Sequence, residues 1–381
     1  MSDSRGFVAG LAIWLTSVCA AVAGVPVSAT PDSAVRLTDL AGREVVVPQP
    51  VTRILLGEGR LLNALAILEG PALTERLVAL PDDLERVDPG SHAQYLAAFP
   101  MLATIPRVGH GASDGFDLEQ ALMLRPDLAV FSRAGHGPAA RDKRLVEQLE
   151  RAGVAVLFVD FREDPLTNTP PSMLALGQAL GREAVARRFV DAYAAALSAV
   201  TDRLDPAAPR PTVFLHSRAG LSDACCDTMV RGMLADLVEA AGGRNLAAGR
   251  IPGQTGTVSL EGLLIEPPDV YVATAIGSAA DVQQAAYVSL GPGVAAASAR
   301  ASLEGLLQRS RLDSLPAVRT GRAHAIWHVF YNNPFNVVAL QVLAGWIDPA
   351  RFDDLDPRAT LETLYREFMP FALDGDYWVS R

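Results

Sequence analysis

Five arginines stand just beyond short apolar runs of this chain: Arg60, Arg133, Arg162, Arg218 and Arg231. Arg60 closes the loop Gly57-Glu58-Gly59-Arg60 after "TRILLG" (52–57). Arg133 and His136 follow "LAVFS", Arg162 follows "LFVDF", and His216, Ser217 and Arg218 follow "TVFL". Cys225, Cys226 and Arg231 come further along, and "VGHGAS" (108–113) puts His110 on a glycine-flexed loop. The stretch "IWHVFYNNPFN" (326–336) adds Trp327, His328, Tyr331 and Asn332. Guanidinium groups pair with carboxylate and phenolate oxygens in bidentate fashion, so convergent arginines suit an anionic ligand. Tyr331 is either a phenolate ligand to chelated iron, with His328 as a second candidate, or an aromatic cleft wall. Trp327 is either core or stacking surface. His324 and His328, four apart in a strand, would share a face, but a bare metal site needs a third ligand. No Ser-His-Asp or paired-carboxylate pattern stands out.

The elements that must position these groups alternate. "TRILLG", "LAVFSR" (128–133) and "VAVLFVDF" (154–161) read as strands separated by helical stretches, and "TVFLHS" (212–217), "DVYVAT" (269–274) and "AHAIWH" (323–328) repeat the theme. Alternating β and α predicts mostly parallel sheets with helices on their faces. Ligands collect beyond the carboxyl ends of such strands and between lobes, where the residues above would sit. One sentence is said twice: "DLEQALMLRPDLAV" (117–130) and "SLEGLLIEPPDVYV" (259–272). Asp117 and Ser259 are N-cap types, Gln120 gives the first copy a capping-box pattern, and Pro126 and Pro268 cannot continue their helices. Asp127 and Asp269 suit the turns after them. Each copy is a helix, a Pro-Asp turn and a buried strand, one per lobe of similar build. Between the halves, Ser172 to Leu204 is rich in Ala and Leu, with two early glycines and no proline, after Pro170 and Pro171. It predicts one long helix joining two Rossmann-like α/β lobes. The expected boundaries are 36–171, 172–204 for the linking helix, and 205–381.

With 381 residues the chain has room for two or three domains. Its net charge of −10 disfavours generic nucleic-acid binding, which needs a basic surface. Arg5, the apolar run 7–25 and the small residues "VSA" (27–29) predict a cleaved secretory signal over 1–29. A membrane anchor is the rival reading, since that run is nearly long enough to span. Cys19 would serve a lipoprotein anchor, but "TSVC" places Val18 where a small residue is expected. Export permits a disulfide between the adjacent Cys225 and Cys226. Two small thiols packing a core are the alternative.

Taken in order, "LTDLAGREVVVPQPVTRI", the two Glu-bearing helices, "LPAVRTGRAHAI" (315–326) and "FNVVALQVLAGWIDPARF" resemble the substrate-binding proteins of ABC importers. The subclass is the one serving ferric siderophores, haem and vitamin B12. The resemblance implies a periplasmic protein, not an enzyme and without a cofactor, that captures a ferric siderophore-type complex between its lobes. Delivery would be to the permease dimer of an ABC transporter in the inner membrane. It also implies that Glu119 and Glu261, at matching places in the two copies, meet that permease. Haem or vitamin B12 is the alternative cargo. An exported thiol redox enzyme using Cys225 and Cys226 is the alternative of another class, although reactive dithiols are normally spaced Cys-X-X-Cys.

Overall fold

The computed structural model describes residues 34–109, 115–221, 225–277 and 287–381. The expected signal over 1–29, Cys19 and His110 lie outside the described residues. The strands are β1 Ala34–Thr38, β2 Glu44–Pro48, β3 Ile54–Leu56, β4 Leu77–Ala79, β5 Leu128–Ser132 and β6 Ala155–Val159. They continue with β7 Thr212–His216, β8 Asp227–Met229, β9 Arg244–Asn245 and β10 Thr255–Thr257. The last three are β11 Val270–Ala275, β12 Ala323–Trp327 and β13 Trp378–Ser380.

The chain is a two-lobed α/β protein. Its first sheet runs β4-β3-β5-β6, all parallel. The second is seven-stranded, in the order β10-β8-β7-β11-β12-β13 with β9 beside β7. β7, β11 and β12 are mutually parallel, whereas β8, β10 and β13 are antiparallel to their neighbours. β1 and β2 form a separate antiparallel pair. Every residue of β5, β6, β7, β11 and β12 is buried. Such near-continuous apolar runs, broken only by Ser132, Thr212, His216, Thr274 and His324, are what a sheet covered on both faces requires. Among the described residues, no helix is long and apolar enough to cross a membrane.

The doubled sentence folds the same way twice. Asp117 accepts from the amide of Gln120 at 2.9 Å and caps the helix Leu118–Met123. Ser259 accepts from Gly262 at 3.1 Å and caps Leu260–Ile265. The aspartate after the proline does more than turn the chain. Asp127 Oδ2 accepts from the amides of Thr52 and Arg53 and from the Thr52 hydroxyl, at 2.7, 2.9 and 2.7 Å. Asp269 Oδ2 likewise accepts from the amide and hydroxyl of Thr212, both at 2.7 Å. Each carboxylate thus ties the start of its own strand to the start of the strand beside it.

The helix expected over 172–204 is two helices, Pro165–Leu180 and Glu183–Thr201. Gly181, in the left-handed region at φ 68°, ends the first, and the Arg182 amide then donates to Gly177 O. A Cβ on Gly177 would lie 2.4 Å from that of Ala186, so the second early glycine lets the two helices touch. Pro170 and Pro171 sit inside the first helix rather than before it. Its approach is fixed instead by Asp160, which accepts from the amides of Arg162, Glu163 and Asp164 and from Asn168 Nδ2.

The tethers should carry measurable stability. Asp127→Ala and Asp269→Ala should each lower the free energy of unfolding by about 1–3 kcal/mol, the range for charge-assisted hydrogen bonds lost without replacement. Urea denaturation of both variants and the wild type checks this, and unchanged midpoints would remove the tether role.

Candidate ligand-binding cleft

The carboxyl ends of parallel strands from both sheets face one cleft of about 580 Å³. Arg60 follows β3, His136 follows β5 and Arg162 follows β6. From the second sheet, Ser217 and Arg218 follow β7, while His328 and Tyr331 follow β12. Asp83 and the apolar Met229 and Met233 complete the lining that matters here.

The floor is an ionic knot. Glu58 is buried and accepts from Arg60 Nη1 at 2.5 Å, from Ser132 Oγ at 2.7 Å and from Asn332 Nδ2 at 3.0 Å. Burial alone would raise its pKa, but the Arg60 guanidinium and these hydrogen bonds outweigh it and hold the carboxyl ionised. Asp83 accepts from the Gly59 amide at 2.7 Å, and its Oδ2 lies 3.8 Å from Arg60 without a hydrogen-bond partner. Burial, with the Glu58 charge beside it, pushes the Asp83 carboxyl up to about 6. Arg60 is therefore neutralised before any ligand arrives.

Contacts cross from one sheet to the other, among them the Met233 amide, which donates to Arg162 O at 2.7 Å. Asn332 reaches Glu58, and His136 Nε2 lies 3.0 Å from the Tyr331 hydroxyl. The Tyr331 ring is also flanked by the guanidiniums of Arg60 and Arg162, 5.5 and 5.8 Å from its centroid. Burial raises the Tyr331 pKa and lowers those of His136 and His328, so all three are neutral near pH 7. His328 Nδ1 is held by the Thr274 hydroxyl at 2.8 Å, and the same oxygen accepts from the Arg218 amide at 2.7 Å. Arg218 adopts φ 47°, a costly conformation for a side chain of this size, and its residue is exposed on the cleft. Among the described residues, neither Arg162 nor Arg218 has a carboxylate partner.

Other residues singled out from the sequence lie elsewhere. Arg133 is paired with Glu163 at 2.6 Å beside a shallower hollow. His216, the last residue of β7, is buried against the Tyr271 hydroxyl at 2.6 Å, because its side chain takes the sheet face away from the cleft. Arg231 donates to Gly253 O on the surface. Trp327 is core, packed edge-on between Phe330 and Tyr377. His324 stacks on Trp346 at 4.4 Å, apart from His328, because the strand ends at Trp327 and a 3-10 turn re-aims the residues beyond it. Cys225 and Cys226 are joined as a disulfide, with Cys226 buried. Glu119 and Glu261 are exposed in the first turns of their short helices. A second hollow of about 570 Å³ lies at the amino ends of the second sheet, but its Arg210 and Arg351 are already paired with Glu239 and Asp348.

The profile of the family described as "Periplasmic binding protein" matches residues 70–326. The chain belongs to this family. Its members are solute-binding proteins, not enzymes; they bind a ligand and deliver it to an ABC permease, and the family implies a periplasmic location. No curated protein matches by sequence. Among solved structures, the TroA-like periplasmic binding protein FepB of Veillonella parvula superposes with a TM-score of 0.80 at 23% identity, over 91% of this chain and 99% of that one. The molybdate-bound MolA of Haemophilus influenzae gives 0.66 at 17%, over 90% and 99%. The haem-binding RhuT of Roseiflexus sp. RS-1 gives 0.54 at 21%, over 79% and 99%. These likenesses establish the fold of this periplasmic binding protein and leave its cargo to the cleft.

Sequence reasoning passed over the roles of Glu58, Asp83 and Ser132. Glu58 was visible as a carboxylate in a glycine-flanked loop. Asp83 stood in "LPDDLERVDPG" with nothing to separate it from a solvated acidic turn.

Asp88 closes that same turn, fully buried, with Oδ2 unpaired. Burial pushes its carboxyl from 3.8 up to about 6, against the opposing hydrogen bonds of Ser91. A raised folded-state pKa means that its contribution to stability is complete below about pH 4 and lost as pH rises through about 6. Asp88→Asn should therefore flatten the decline in stability between about pH 4 and 6, as read from denaturation midpoints across that window. An unchanged pH slope would show that Asp88 does not titrate there.

Proposed function

We propose that this periplasmic binding protein captures an anionic ferric chelate of the siderophore type. The supporting observation is that Arg162 and Arg218, from strand ends of different sheets, face one cleft without carboxylate partners while Arg60 is neutralised by Glu58. A protein of net charge −10 must gather local positive charge to hold an anion, and these two guanidiniums supply it. His328 and Tyr331 form a wall for the chelate. With its hydroxyl engaged by His136 and only 2% of its surface exposed, Tyr331 suits that role better than direct iron ligation. Haem is the second reading, favoured by Leu221, Met229, Met233 and Ile276, which would suit an apolar body between two carboxylates. We also propose export by a cleaved signal over 1–29, lobes divided near the helices 165–201, and permease contact through Glu119 and Glu261.

Two measurements test this reading. Arg162→Ala and Arg218→Ala should each weaken binding of a ferric catecholate or carboxylate chelate by about tenfold to a hundredfold, since a charge-assisted hydrogen bond is worth roughly 1.5–3 kcal/mol. Titration against ferric chelates, haem and cobalamin reads this directly. Tight binding of cobalamin alone would overturn the anion reading, and haem alone would select the second. Replacing both Glu119 and Glu261 with Ala should leave ligand affinity unchanged and sharply reduce uptake in cells. Normal uptake would remove the docking assignment.

A further inference from the structure

The doubled helices share a feature that their glutamates do not explain. In each copy the fifth residue of the sentence, Ala121 or Leu263, is fully buried. The seventh, Met123 or Ile265, is turned outward. Met123 is 75% exposed and Ile265 85% exposed, the two most exposed large apolar side chains among the described residues. They fall at the same place in the two copies, four residues after Glu119 and Glu261. Residues four apart on a helix lie on one face, about 5–6 Å between Cβ atoms. Each lobe therefore presents a carboxylate with a large apolar side chain one turn along. Leu264, 48% exposed, widens the apolar area in the second copy.

Failed packing does not account for this, because each helix buries its inner residue completely. A solvated position on so short a helix has no use for Met or Ile, and singly exposed apolar residues elsewhere do not recur at equivalent sites. Both helices lead into the amino ends of strands, β5 and β11, whereas the cleft residues follow carboxyl ends. The cargo therefore does not cover them. A partner that engages both must offer two equivalent sites, each with positive charge for the carboxylate and a dry recess beside it.

We infer that Met123 and Ile265 are paired apolar anchors for a two-fold membrane partner, the ABC permease, seated beside Glu119 and Glu261. This rests on the permease-docking reading of those glutamates and assigns the work differently. The carboxylates steer and orient the encounter, while the apolar pair, desolvated on docking, holds the complex.

The test uses the mature chain and its cognate permease–ATPase complex in lipid nanodiscs, with affinity measured at low and high salt. Met123→Ser with Ile265→Ser should weaken docking by roughly tenfold or more and leave the salt dependence in place. Glu119→Ala with Glu261→Ala should flatten the salt dependence instead. Affinity for the ferric chelate should be unchanged in both. Wild-type docking by the Met123/Ile265 variant would overturn the inference. So would sedimentation showing that the wild-type chain is a dimer that this variant dissolves, since a second copy would then be the occupant. Loss of salt dependence and affinity in neither double variant would instead bring down the docking reading itself.

Discussion

The carboxylate of Glu58, buried at the junction of the two lobes, is the interaction on which the cleft depends. A buried charge is tolerated only when paired and fully hydrogen-bonded. Glu58 meets that condition by drawing in Arg60 from its own loop, Ser132 from the end of β5 and Asn332 from beyond β12. Those three elements converge because none can leave without stranding the charge. The glycines around the loop serve the same end. A Cβ on Gly137 would lie 2.0 Å from Gly57 O, so the two strand-end loops pack backbone to backbone above the carboxylate.

The knot also divides the arginines by task. Five looked alike in the sequence, since a guanidinium beyond a strand carries no mark of its partner. In the fold, Arg60 neutralises Glu58, Arg133 neutralises Glu163, and Arg231 braces a surface loop. Of these five, Arg162 and Arg218 keep their charge available to the cleft. What was legible was position: the rule that ligands meet strand carboxyl ends placed Arg60, Arg162, Arg218, His328 and Tyr331 at one cavity. Pairing was not legible, because it depends on residues such as Asp83 and Glu163 that are close only after folding.

Local chemistry was read well where it is enforced by neighbours in sequence. Asp117 and Ser259 cap their helices as their types predict. It was read less well where tertiary contacts decide. Gly181 looked like a tolerated flaw in one long helix, yet its left-handed backbone divides two. Asp127 and Asp269 looked like turn residues, yet each holds a threonine at the entry to the strand beside its own. His216 looked accessible from the end of its strand, but the alternation of a strand sends every second side chain to the other face; Trp327 took the core reading of the two offered for it.

The contacts Glu58–Asn332 and His136–Tyr331 join the two walls directly, protein to protein. A cleft braced across its width in this way behaves as a caliper rather than a flytrap: its jaw spacing is set before the solute arrives. Residence time is then governed by the solute's own contacts with the walls. Hastening its exit means parting these cross-braces together, and one of them ends on a carboxylate that cannot be left unpaired in the interior.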